Sequence, residues 1–238
     1  MSTNSPATIY LIPNTLGDDA VERTLPSHNS AIVATLQHFL VEDEKSARKL
    51  IKLLVPSAQI RDLNISRLNE HTKPSEIESL MAPLLVGNSI GIISDAGCPA
   101  IADPGAEIVR RAHELSIPVV PLVGPCSMVL ALMASGLNGQ TWRFAGYLPV
   151  DSAARIASIR SLEGRVESFG ETQIVMDTPY RTQKLFQEIV SVCKPATRLC
   201  VAQGLATQHE SIRTATIMQW RDSSGPQDKI PSLFLIGR

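Results

Sequence analysis

Much that would mark a familiar chemistry is missing from this chain. Its four cysteines, Cys98, Cys126, Cys193 and Cys200, form no CxxC pair. Its first residues, Met1-Ser2-Thr3-Asn4-Ser5-Pro6, are polar and lack the basic start of a secretory signal. Free thiols in a reducing, cytoplasmic setting are therefore expected. The five histidines have no zinc-site spacing, so no metal is expected, and His71, His113 and His209 stand isolated. No GxxxxGK[ST] occurs, which leaves a P-loop nucleotidase without support. No GxGxxG follows the first strand, against a dinucleotide enzyme, and no GxSxG elbow offers a serine nucleophile. With a net charge of −1 there is no global basic field, so any RNA contact needs a local patch. The longest apolar stretch, 119–137, is broken by Pro121, Gly124 and Pro125, which fits a strand, a turn and a buried helix better than a membrane span. No internal repeat is visible.

What is present is ordinary in bulk and informative in order. The 238 residues are 44% hydrophobic and 19% charged, enough for one or two domains with sizeable cores. Strands and helices alternate. Residues 7–12 read as a first strand and 36–41 as a second, followed by an amphipathic helix over 46–55 through Ala47, Leu50, Ile51 and Leu54. A further helix is expected over 75–86, with Ser75 and Glu78 as a capping box. Strands near 90 and 119 complete a first α/β half. The second half begins with a helix at 128. It continues with strands near 142–145, 172–176, 199–202 and 232–236, and helices over 152–162 and 181–192. Residues 164–170 and 223–226 read as surface loops. The expected architecture is two α/β domains, 1–122 and 123–238.

The most informative segment is Ser94-Asp95-Ala96-Gly97-Cys98-Pro99-Ala100-Ile101-Ala102-Asp103-Pro104-Gly105. It leaves the short apolar strand 89–93 and opens a helix over 106–115 whose apolar face is Ile108, Val109, Ala112 and Leu115. Asp103 suits an N-cap and Pro104 the first helical turn. The loop lies at the carboxyl end of a strand, where open α/β sheets bind ligands. Strand 117–123 ends in a second small-residue turn, Gly124-Pro125-Cys126-Ser127, on the same sheet edge.

Four motifs then occur in a fixed order: SDAGCPAIADPG at 94–105, GPCS at 124–127, ASGL at 134–137 and FAGYLP at 144–149. With them the chain resembles the tetrapyrrole methylase superfamily of S-adenosyl-L-methionine (SAM) methyltransferases, over nearly its whole length. Within it, the chain is most similar to the ribosomal RNA small subunit methyltransferase I branch, which 2′-O-methylates a cytidine. The resemblance implies SAM as cofactor, RNA or a ribosomal subunit as partner, no membrane, rRNA processing in the cytoplasm, and a homodimer. It implies a cofactor cleft between the two α/β domains, with its site at Ser94, Asp95, Ala96, Gly97, Ala100, Ile101, Ala102, Cys126, Ser127, Tyr147, Leu148 and Pro149. For Ile101 and Leu148, plain core packing weighs equally.

The similarity thins on the acceptor side. The branch's ATPIGN loop is here Pro13-Asn14-Thr15-Leu16-Gly17-Asp18, and AEDTR is Val41-Glu42-Asp43-Glu44-Lys45. ESPHR becomes Asp177-Thr178-Pro179-Tyr180-Arg181. ARELTK becomes Ala202-Gln203-Gly204-Leu205-Ala206-Thr207, which removes its Arg, Glu and Lys. A divergent acceptor is therefore expected. A hydroxyl acceptor needs a base; Asp43, Asp177 and Tyr180 are candidates, with Asp95 also near the expected cleft, and each has a capping or loop role as its plainer reading. Lys45, Arg48, Lys49 and Lys52 form a basic helix face that could touch RNA or simply be solvated. Three readings stay open: an RNA methyltransferase, a methyltransferase of a small molecule such as a tetrapyrrole, and a non-catalytic SAM-binding protein. The tetrapyrrole branch usually has a GGDP-like loop, which Asp95-Ala96-Gly97-Cys98-Pro99 does not match.

Overall fold

A computed structural model describes residues 6–17 and 21–238. The polar start 1–5 and Asp18 lie outside the described residues. Two compact units divide the chain, Met1–Pro125 and Cys126–Arg238.

In the first unit the described elements run β1 (Ile9–Ile12), α1 (Val21–Thr24), α2 (Ser27–Val33), β2 (His38–Val41), α3 (Glu44–Leu54), β3 (Asn64–Arg67), α4 (Pro74–Leu85), β4 (Ile90–Ile93), α5 (Ala106–Glu114) and β5 (Val119–Pro121). The strands form one sheet, ordered β3-β2-β4-β1-β5. Every pairing is parallel, with Ile9 beside Ile90 and Val119, and His38 beside Ile90 and Asn64. Central strand β4 is buried at all four positions, as expected when helices cover both faces. Alternate residues serve opposite faces. Ile12, Phe39, Val41 and Ile93 pack with Ala47, Leu50 and Ile51 of α3. Ile9, Leu40, Ile90 and Ile92 pack with Ile77 and Met81 of α4 and Ile108 of α5. Because all five strands point the same way, the residues after β1, β2, β4 and β5 gather at one sheet edge.

Two capping expectations are corrected. Helix α5 starts after Gly105, which at a φ of +128° is the N-cap, and Asp103 lies three residues before the first helical residue. Only glycine takes that backbone conformation cheaply. Helix α4 is capped by the Glu76 carboxylate, which accepts a 2.8 Å hydrogen bond from the Lys73 backbone N–H. Glu78, the residue expected to do this with Ser75, instead accepts from Arg111 Nε at 2.7 Å.

The second unit contains α6 (Ser127–Ser135), β6 (Trp142–Tyr147), α7 (Ser152–Phe169), β7 (Thr172–Asp177), a 3-10 turn over Pro179–Arg181, α8 (Thr182–Val192), β8 (Arg198–Gln203), β9 (Ser211–Thr216), α9 (Ile217–Arg221) and β10 (Ser232–Gly237). Its sheet is ordered β6-β7-β10-β8-β9. Strands β6 and β7 are parallel and the remaining pairs antiparallel. Ile159, Leu162 and Val166 of α7, Phe186 and Ile189 of α8 and Trp220 of α9 share one core with Val175, Val201 and Phe234. The expected loop at 164–170 is corrected: α7 runs through Gly164 to Phe169, and Gly170, at φ +64°, closes it. Burial of Leu162 and Val166 outweighs the roughly 1 kcal/mol that a helical glycine costs. The apolar stretch from Val119 resolves into β5, a turn and α6, and no described helix is long and apolar enough to cross a membrane.

Candidate functional site

The loop after β4 is held in shape by a residue from the neighbouring strand end. Asn14, just past β1, is 5% exposed. Its Nδ2 donates to the carbonyls of Asp95 at 2.8 Å and Ser94 at 3.2 Å, and to Ser46 Oγ at 3.1 Å. Its backbone N–H donates to the Gly97 carbonyl at 2.8 Å. Glu42, past β2, accepts the Asp95 N–H at 3.1 Å. The Cys98 thiol donates to the Pro125 carbonyl at 3.4 Å, joining this loop to the turn after β5. Three strand ends thus fix the first half of the loop from outside it.

Within that frame Ser94 and Gly97 are buried, while Asp95, Ala96, Ile101 and Ala102 are exposed and Ala100 is half-buried. Ala100 and Ala102 have φ of +64° and +61°. Left-handed backbone at alanine costs about 1–2 kcal/mol each and persists only where surroundings impose it. Ile101 is 49% exposed, so the core-packing reading does not apply to it. A hollow of about 700 Å³ opens against Cys98, Pro99, Ala100 and Ile101, with Leu11, Pro121 and the α5 side chains Val109 and His113 as further walls. A smaller one, about 160 Å³, lies between Asn14, Ser46, Lys49, Asp95 and Ala96.

Three carboxylates meet at this edge. Burial first, then the negative charges of Glu42 and Asp95, raise Asp103 from its ordinary 3.8 to about 7, opposed by a hydrogen bond with Ser94. A raised acid pKa means that the folded protein binds the extra proton. The stability it contributes is full below pH 3.8 and is lost as pH rises through about 7. Asp103→Asn is therefore expected to match the parent near pH 4 and exceed it at pH 8.5. At 1.36 kcal/mol per pH unit the whole interval is worth about 4 kcal/mol. Solvent screening of this half-open group reduces the expected gain to about 1 kcal/mol. Urea melts at both pH values check it, and equal gains at both would reject the titration.

The remaining site residues expected from sequence lie in the second unit. Cys126 precedes α6 and Ser127 begins it. Tyr147, 59% exposed, ends β6, and Pro149 is exposed beside it. Leu148 is 6% exposed and belongs to the core cluster, so for it the packing reading holds. Of the candidate bases, Asp43 Oδ1 accepts the Ser46 N–H at 2.8 Å as the N-cap of α3. The Asp177 carboxylate is occupied by Arg181, which donates from Nε at 2.8 Å and Nη2 at 2.6 Å. Tyr180 is 84% exposed on the 3-10 turn. The basic face of α3 is partly spent locally: Arg48 pairs with Glu44 at 2.7 Å and Lys52 donates to the Pro56 carbonyl at 3.1 Å.

At 202–207, where the sequence departs from the branch's ARELTK pattern, the turn closes on itself. Gln203, 5% exposed, donates to the Gln227 carbonyl and to Ser232 Oγ, both at 2.9 Å. Thr207 donates back to the Gly204 carbonyl, and the Glu210 carboxylate accepts the Ala206 N–H.

Comparisons with known proteins agree with this architecture. The chain is 30% identical over 226 residues to a "Ribosomal RNA small subunit methyltransferase I" of Vibrio cholerae, covering 91% of this chain and 72% of that one. It is 29% identical over 216 residues to the protein of that name from Escherichia coli O157:H7, covering 90% and 71%. The crystal structure of the methyltransferase CobJ superposes with a TM-score of 0.64 at 13% identity, covering 98% of this chain and 95% of that one, a likeness of fold. No family model matches the chain.

Proposed function

The chain belongs to the ribosomal RNA small subunit methyltransferase I family, and from that premise we propose that it transfers a methyl group from SAM to a ribose hydroxyl of ribosomal RNA, in the cytoplasm and as a homodimer. The supporting observation is the loop 94–105, fixed from three strand ends at the carboxyl edge of a parallel sheet, with small residues exposed at its tip.

SAM would supply an electrophilic sulfonium methyl, and the chain must hold donor and acceptor in line and keep water out. Asp95 offers an exposed carboxylate for a polar group of the cofactor, and Ala96 an exposed backbone that can be approached closely, while the buried Gly97 supplies the left-handed turn beneath them. Ala100, Ile101 and Ala102 offer apolar surface to the nucleoside, beside a hollow within the size range of ligand pockets. In the second unit, Cys126, Ser127, Tyr147 and Pro149 are the residues that the family resemblance assigns to the cofactor, and Leu148 beside them belongs to that unit's core. Val120 and Val123, exposed at and beyond the β5 edge, are apolar surface of the kind that a second copy covers.

Calorimetry with SAM and S-adenosylhomocysteine tests the cofactor, and tritium transfer from labelled SAM to small ribosomal subunits tests the acceptor. Asp95→Ala and Ala96→Trp are expected to weaken binding by about tenfold or more with unchanged melting, the worth of one lost polar contact or one blocked surface. No binding by the folded parent would overturn the cofactor reading. Binding without label in RNA would overturn the acceptor reading and return a small molecule, or a non-catalytic role, to first place.

A further inference from the structure

The segment that follows β6 has outward-facing side chains and an anchor that is almost wholly buried. Tyr147 and Val150 are 59% and 76% exposed. Strand β6 shifts register at a bulge between Phe144 and Gly146, where Gly146 has a φ of +74°, pairs again with β7 at Gly146 and Tyr147, and ends there, so the sheet does not dictate the path of residues 148–150. That path is set instead by Arg155, on the first turn of α7 and 1% exposed. Its Nη1 donates to the carbonyls of Pro149 at 2.9 Å and Val150 at 2.6 Å. Its Nη2 donates to Glu188 Oε1 of α8 at 2.7 Å, and its Nε donates to Glu188 Oε2. Ser152 Oγ holds the same carboxylate at 3.0 Å.

We propose that Arg155 is a positioning residue, which latches the backbone of segment 147–150 to α8 and so presets the surface that this segment offers to SAM. The proposal rests on the cofactor reading of Tyr147 and Pro149 given above.

Packing alone is a poor reason for this arrangement. A buried ion pair costs several kcal/mol of desolvation, and apolar side chains of similar volume commonly fill such a space as well or better. What an apolar side chain cannot do is donate to two consecutive carbonyls while gripping a carboxylate. The planar fork of arginine does all three at once, and lysine, with three donors on one atom, cannot span them. Pro149 adds a fixed φ to the held peptide. The consequence is a rigid turn just past the last strand pair of β6, Tyr147 with Met176.

The test compares Arg155→Lys and Arg155→Met with Glu163→Ala. Glu163 lies farther along α7, is 6% exposed, and accepts from the Lys194 N–H and Thr197 Oγ1. Its loss lowers stability without touching segment 147–150. Both Arg155 variants are expected to speed amide hydrogen exchange at positions 154 and 155, whose N–H groups donate to Asp151 directly after the held segment, by about ten- to a hundredfold, and to weaken S-adenosylhomocysteine binding over a similar range, as loss of charge-assisted hydrogen bonds does. In turnover the loss appears mainly as a raised KM for SAM, with kcat at saturating SAM changed less. Glu163→Ala is expected to melt earlier with exchange at those amides and binding unchanged. Should the Arg155 variants fail to fold, Glu188→Gln keeps the guanidinium but removes its counter-charge and gives the same pattern at smaller amplitude. Parent-like exchange in every Arg155 and Glu188 variant, or the same losses in Glu163→Ala, would overturn the latch. A folded parent that binds no S-adenosylhomocysteine removes the cofactor reading, and with it the presetting role, while the exchange data still decide whether Arg155 holds the segment.

Discussion

Gly124→Ala is expected to destabilise the protein by about 3 kcal/mol or more, the high end for overpacking a site that cannot relax. A Cβ at this position would lie 2.2 Å from Pro13 Cβ and 2.5 Å from Pro13 Cγ. Neither side can give way cheaply. Pro13 is a rigid ring directly after β1, and β1 is hydrogen-bonded to β4 on one side and β5 on the other. On the opposite side, the Leu122 N–H donates to the Leu11 carbonyl at 2.9 Å. The amide of Asn29, itself 1% exposed, donates to the Val123 carbonyl at 2.9 Å. The methyl therefore forces the ends of β1 and β5 apart, and the Asn14 and Cys98 contacts to loop 94–105 move with them. A melting temperature about 10 °C lower follows for a protein of this size. Gly139→Ala is the control, since a Cβ there meets nothing within 4 Å. A Gly124→Ala protein that melts within a degree of the parent would reject the close approach as a structural constraint.

The elements that sequence reveals here are those whose signal is local. The run Ile90-Gly91-Ile92-Ile93 reads as a buried strand because both of its faces are covered, and the periodicity of α3 survives in the structure almost residue for residue. The fold class and the family follow from four ordered motifs, and the comparisons bear both out. Strand β3 carries no such signal: at the sheet edge, Asn64, Ser66 and Arg67 are exposed and only Ile65 is partly covered. Strand β9, Ser211-Ile212-Arg213-Thr214-Ala215-Thr216, is equally polar and owes its existence to six paired residues of β8.

The site is legible in its parts and illegible in its assembly. Asp103 satisfies every local rule for an N-cap, and the backbone conformation of Gly105 overrides them. Its high proton affinity comes first from burial, then from Glu42, which β2 brings alongside by pairing with β4, and from Asp95 on its own loop. Asn14 falls where the chain departs from its relatives' ATPIGN loop, and nothing in the neighbouring sequence says which carbonyls its amide will meet.

The substitution series at Asn14 separates the roles of that amide. Two N–H groups on Nδ2 serve the Ser94 and Asp95 carbonyls and Ser46 Oγ, while Oδ1 accepts the Thr15 N–H at 2.8 Å. Leucine fills the same space but leaves those groups unpaired. At 1–3 kcal/mol for each buried unpaired group, the expected loss is about 3 kcal/mol. Alanine is expected to be milder, about 1–2 kcal/mol, because the 160 Å³ hollow beside Asn14 and Asp95 can admit water to the bared carbonyls. Aspartate is expected to be the worst at high pH: it replaces the donor with an acceptor and adds charge near Glu42, Asp95 and Asp103. Protonation would restore one donor, so its penalty shrinks as pH falls. The expected order of stability at pH 8 is parent, alanine, leucine, aspartate, read from denaturant midpoints. S-adenosylhomocysteine affinity is expected to fall in the same order if loop 94–105 holds the cofactor. Leucine as stable as the parent would mean that the amide merely fills space. Stability falling in this order with unchanged affinity would separate the brace from the binding site and move the cofactor away from Asp95.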